Sequence, residues 1–190
     1  MHGHGGEDGG AVSKSGVVES NINLAIALKL QNLLEQSGMT VILTRSTDEA
    51  IYDADDTKNI RNKKVSDLKN RVKIGNESSA DLFVSIHLNK IPQEQYYGWQ
   101  TFYKQNNEDG KRLSESIQKN LNEAIQKENK RIPKAIKDIY IIEHIEIPTT
   151  IVECGFLSNE NELQNLENEQ YQEKLAWGIY NGIIEYLSNQ

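Results

Sequence analysis

Apolar and polar positions repeat along the chain with two different periods, and the places where the period changes mark its elements. Over 17–38, VVESNINLAIALKLQNLLEQSG places Ile22, Ala25, Ile26, Leu28, Leu30, Leu33 and Leu34 on one broad face, with Gly38 where a helix would end. MTVILTR (39–45) is a short β-branched run and predicts a buried strand. STDEAIYDADDTKNIRNKK (46–64) is polar and aperiodic, and predicts a long, exposed, mobile loop beside the site discussed below; loops of that length usually carry function. Helical spacing returns over 65–79 through Val65, Leu68, Val72 and Ile74. ADLFVSIHLN (80–89) predicts a second buried strand, GWQTFYK (98–104) an alternating edge strand, and 109–128 a helix. IKDIYIIEH (136–144) and IPTTIVECGF (147–156) predict two further strands, and 168–190 a closing helix. Strands interleaved with helices predict an α/β fold, a largely parallel or mixed twisted sheet flanked by helices, in one domain over 1–190.

Composition narrows the function classes. The chain has 190 residues, enough for a sizeable core, and 37% hydrophobic with 26% charged residues is a globular balance. No apolar run approaches the roughly 20 residues of a membrane span, and no leader remains, so export would require one to have been removed. The net charge of −7 argues against non-specific nucleic-acid binding, which needs Lys and Arg against phosphates. The single cysteine, Cys154, excludes an internal disulfide and a multi-cysteine zinc site. A metal here would have to be held by histidines and carboxylates.

The chain opens MHGHGGEDGG, five glycines in ten residues around His4. One reading is a tag or a frayed terminus; the other is a backbone that turns sharply to bring His4 close to something. Ligands of α/β sheets bind beyond the carboxyl ends of the strands. His87 closes LFVSIH, Glu153 closes TTIVE, and a strand ahead of GHGG would end at His4. His4, Glu19 and His87 form a candidate zinc set, since zinc in hydrolases takes three protein ligands and keeps a position for water. Glu19 also suits a helix N-terminus, and His87 also suits a strand-end hydrogen bond to backbone. Glu153 follows four apolar or β-branched residues, so desolvation would raise its pKa toward that of a general base; a salt bridge or cap is the other reading. Cys154 is a nucleophile or a small buried hydrophobe. His2 and His144 read as surface histidines, the latter alternatively facing the cleft. Tyr96, Tyr97 and Trp99 suit a groove for sugar or peptide, or the core. NESS is a short sequon at Asn76. Neither a dinucleotide fingerprint nor a P-loop is present.

GHGG, a Glu fifteen residues beyond its histidine, SIHLN and VECGFLSN together resemble the zinc-dependent N-acetylmuramoyl-L-alanine amidases of the Amidase_3 family, over nearly the whole chain. SIHLNKIPQEQYYGWQTFYK and the insert before Val65 are most similar to its germination-specific, spore-cortex branch. The resemblance implies hydrolysis of the bond between the muramic acid lactyl group and L-alanine, with one zinc per chain on His4, Glu19 and His87. It makes Glu153 the catalytic glutamate. Arg45, Arg71, Asn76, Asp81 and Asn89 match recurrent positions that support the ligands or the substrate. It also implies a peptidoglycan substrate, a lipoprotein partner of the GerS type, and export to the cell wall or spore envelope. The family carries an apolar strand before GHGG, so the first strand reads as truncated, leaving about five. Rival readings are a zinc peptidase or carboxypeptidase, and a non-catalytic peptidoglycan-binding module.

Overall fold

Helix α1 (Glu19–Gln36) forms on the predicted apolar face, burying Ile22, Ile26, Leu30 and Leu34. Gly38, at φ +81°, lies just beyond its end, where a side chain would be strained. A computed structural model describes residues 4–53 and 59–189. Beyond α1 the order is α2 (Ile60–Glu77), β1 (Phe83–Asn89), β2 (Gln100–Lys104), α3 (Glu108–Ile125), β3 (Lys134–Ile136), α4 (Tyr140–His144), β4 (Thr149–Phe156), α5 (Glu160–Leu166) and α6 (Glu169–Ser188). The strands make a mixed sheet in the order β1-β4-β2-β3, with β1/β4 and β2/β3 parallel and β4/β2 antiparallel.

Strand parity assigns the two faces. Val84, Ile86, Leu88, Val152 and Cys154 enter the main core with α1, α3 and α6. Phe83 turns the other way, onto Ile141 and Ile145, with Leu68 and Val72 of α2 against them. His87 and Glu153 share Phe83's parity or are in register with it. They therefore lie on the thinly covered face.

Four expectations need correcting. The run 39–45 is not a strand, and the described residues contain four strands rather than about five. A strand needs a ladder partner, and 39–44 face β1 across a cavity of about 520 Å³ lined by Leu30, Val41, Phe83, Val84 and Ile86. Among the described residues β1 pairs only with β4. The expected loop gives way to helix at Ile60, because Asn59 accepts a hydrogen bond from the Asn62 amide and caps it. Residues 54–58 of that loop, and the expected truncation ahead of GHGG, lie outside the described residues. GWQTFYK forms β2, which is interior, because the three-residue β3 covers its outer side. IKDIYIIEH ends β3 and then makes α4: Ile141 and Ile145, four apart, dock on Phe83, and a short apolar run does not distinguish helix from strand by itself.

Candidate metal centre

The glycine-rich start is a tight, packed turn. Gly10, at φ +72°, passes so close to the site that a Cβ would lie 2.6 Å from both Glu19 Oε2 and His4 Cδ2. Gly5, at φ +150°, leaves a Cβ only 2.4 Å from the Glu49 carbonyl oxygen. His4 itself has φ +61°, a conformation that costs a non-glycine residue energy and must be held from outside. Arg45 Nε and Arg71 Nη2 both donate to its carbonyl, at 2.7 and 3.1 Å. Arg45 also donates to the carbonyls of Thr47 and Ser20, and Arg71 is clamped by Asp67 and bonded to Thr44 Oγ1.

His4, Glu19 and His87 converge, with one donor atom from each within 4.8 Å of the others. Glu19 enters from the first turn of α1. Its Oε2 accepts from the Ala11 amide, and its Oε1 accepts from Asn23 Nδ2 and the Leu88 amide and lies 3.1 Å from His87 Nδ1. His4 Nδ1 lies 3.0 Å from Asp8 Oδ2, which leaves Nε2 toward Glu19, at 3.6 Å. A carboxylate behind an imidazole fixes its tautomer and aims its other nitrogen, the usual support of a metal-binding histidine. The protonation states also suit a cation. Burial holds the His87 imidazole below its ordinary value. Burial pushes Glu19 up, but the hydrogen bond and charge of His87, with His4 and the Ala11 amide, outweigh it and hold the carboxyl at about 2. The hydrogen bond to His4 holds Asp8 far below the usual carboxylate range. Two imidazoles and an ionised carboxylate are a three-ligand donor set that fits zinc, whose fourth position in hydrolases is taken by water.

Glu153 is the register partner of His87 on one side and of Gln100 on the other, so the three side chains form one row across the sheet. Its Oε2 is buried and has no hydrogen-bond partner among the described residues. Burial, joined by the charge of Glu19, pushes this carboxyl up to about 8. A proton-accepting group thus stands beside the donor triad with one oxygen unspent.

The remaining candidates separate cleanly. Cys154 is fully buried, its sulfur 3.8 Å from the Val152 carbonyl oxygen, and burial pushes its thiol up, which removes the nucleophile reading. Asn76 bridges the His144 carbonyl and the Glu146 amide, fastening α2 to the segment after α4. Asn89 sits at the β1/β4 irregularity, where its carbonyl accepts from Leu157, and Asp81 borders the cavity beside β1. His144 is exposed and stacks on Tyr140. Trp99 is core, with Nε1 donating to Asn122, while Tyr96 and Tyr97 are exposed. Asp8 supports His4 without any mark of that role in the sequence. Its position four after His4 is a signal only once the turn that folds it back is known.

Residues 1–185 match the family described as N-acetylmuramoyl-L-alanine amidase, Amidase_3. The germination-specific N-acetylmuramoyl-L-alanine amidase of Bacillus subtilis is 36% identical over 99% of this chain and 78% of its own length. Among solved structures, the CwlD amidase of Clostridioides difficile, in complex with the GerS lipoprotein, is 49% identical with a TM-score of 0.96, covering 99% of this chain and 96% of that one. An N-acetylmuramoyl-L-alanine amidase from Clostridium difficile 630 superposes with a TM-score of 0.86 at 33% identity, covering 99% and 94%.

Proposed function

The chain belongs to the Amidase_3 family of N-acetylmuramoyl-L-alanine amidases and is an enzyme of that class, and from that premise we propose that it is a zinc-dependent amidase removing stem peptides from spore-cortex peptidoglycan. The observation that carries the metal is the convergence of His4, Glu19 and His87 beside a carboxyl whose Oε2 has no partner among the described residues. When bound, zinc supplies Lewis acidity: it polarises the amide carbonyl and brings water's pKa to about 7. His4, oriented by Asp8, and Glu19, anchored by the Ala11 amide, would hold the ion together with His87. Glu153 accepts the proton of the attacking water and returns it to the departing L-alanine nitrogen. Its unspent oxygen suits both halves of that transfer, and burial, which favours the protonated form, suits the second.

The spore-cortex role rests on likeness to the germination-specific enzyme and to CwlD, and the proposed site of action, the cell wall or spore envelope, rests on the same likeness. A lipoprotein of the GerS type is proposed as partner on the same ground. The test is metal analysis joined to digestion of defined muropeptides. One zinc per chain and release of the whole stem peptide are expected. Release of single amino acids would make the protein a peptidase, and metal-free protein that binds peptidoglycan without cutting it would make it a binding module.

A further inference from the structure

The row that runs from His87 through Glu153 to Gln100 does not end at the sheet. Gln100 Oε1 accepts from Arg131 Nη1 at 3.1 Å, and Arg131 Nε donates to the Tyr97 carbonyl at 2.8 Å. The guanidinium lies 4.5 Å from the centre of the Phe156 ring and 5.8 Å from that of Tyr96. Phe156 ends the strand that carries Glu153. Among the described residues Arg131 makes no ion pair with a carboxylate. The nearby acid, Glu162, is spent on the backbone amides of Gly98 and Phe156. A guanidinium offers five donors, and stacking on aromatic rings fixes its plane while leaving its outer edge available. Glu162 lies within reach of the Arg131 charge, but its oxygens are committed to those amides, so among the described residues this fixed cation beside the proposed active site keeps an edge for a ligand, in a chain of net charge −7.

We infer that Arg131 and the rings of Tyr96 and Phe156 form a carboxylate-binding subsite for the stem peptide, which reads the free carboxylate of its second residue. The inference rests on the amidase reading and deepens it. Its geometry is that of the row. From Glu153 to Gln100 is one strand spacing, about 5 Å, and the 3.1 Å hydrogen bond then leads to the guanidinium. From the scissile nitrogen, the second stem residue lies one alanine further along, a reach of roughly 7 Å in extended chain. When the second stem residue is an acid linked through its side chain, its α-carboxylate stays free, and a fork of two N–H groups recognises it. Tyr96 and Phe156 hold the plane of the fork in place and cover part of its face.

The experiment measures binding of the product, so that it does not depend on turnover. Zinc-loaded protein is titrated with a free stem tetrapeptide and with the same peptide amidated at the second-residue carboxylate. The native protein is expected to prefer the free carboxylate by about ten- to hundredfold, as for loss of a charged hydrogen bond. Arg131→Gln is expected to bind both peptides alike, with zinc content unchanged. Equal affinity of the native protein for the two peptides, or a preference that survives in R131Q, overturns the inference. Because amidation alone tests the subsite, the result stands even if the variant folds poorly. Intact discrimination without hydrolysis of muropeptides would instead overturn the amidase reading and leave the subsite.

Discussion

Glu153, with its carboxyl pushed up to about 8 in the metal-free protein, binds a proton that the unfolded chain has already released above its ordinary value of 4.5. Between those two values the folded state holds more protons, so stability falls as pH rises through that window. Glu153→Gln is therefore expected to raise the melting temperature of metal-free protein at pH 8 to 9 and to leave it unchanged near pH 4, as followed by thermal denaturation. A bound dication favours the carboxylate and shrinks the difference. In the zinc-loaded protein the same substitution should keep the metal and cut turnover by roughly 10² to 10⁴. His87→Ala should lose metal and turnover together, and turnover in E153Q near the native rate would remove Glu153 from the proton transfer. The ligand candidates could be read in the sequence because they close apolar runs or open a helix, where a polar residue stands out. Asp8, Arg131 and Gln100 could not, because their roles depend on turns and strand pairings that juxtapose residues without any local pattern.

Helices α3 and α6 pack with their backbones unusually close. A Cβ at Gly182 would lie 2.5 Å from Ile117 Cα, and one at Gly178 would lie 2.9 Å from Leu121 Cα. Four residues apart, the two glycines make a groove that receives α3, whose face carries Leu113, Ile117 and Leu121, all fully buried. Gly182→Ala would gain helix propensity but overpack this contact, and is expected to cost about 1 to 3 kcal/mol, read from the denaturant midpoint. A neutral or stabilising result would mean that the helices separate at little cost. Elements of this kind were legible: long amphipathic helices and strands bounded by turns appear where periodicity puts them. The failures share one cause. The run 39–45 has strand composition without a ladder partner, 140–144 is too short for its period to speak, and β3 is only three residues long, so pairing and docking decide what local preference leaves open.

The three proposed ligands come from separate parts of the molecule: His4 from the opening turn, Glu19 from α1, His87 from β1. A metal held by all three ties those parts together in the folded state only, and zinc at a hundred times its dissociation constant would add about 2.7 kcal/mol. Stripping the metal with a chelator should lower the melting temperature by several degrees, and His4→Ala should abolish that response. A chelator without effect on the native protein would separate the triad from the metal. Because His4 holds a costly backbone conformation, a partner that favours it would raise apparent affinity in proportion to the competent fraction. Zinc should then bind more tightly with the proposed lipoprotein than without it, by titration of both; equal affinities would reduce the lipoprotein to a means of localisation.

The row shared by His87, Glu153 and Gln100 also acts as a parity check on folding. If β4 slipped by one residue, Glu153 would turn into the apolar core and Val152 or Cys154 would face the ligands. A slip of two would restore parity but carry the carboxyl roughly 7 Å along the strand. Either error removes the proton acceptor and would cost turnover on the scale expected for E153Q, roughly 10² to 10⁴, so a misregistered molecule contributes almost nothing. In a refolded sample, turnover per molecule would then count correctly registered sheets, and errors of alignment would show as a smaller active fraction rather than as a slower enzyme.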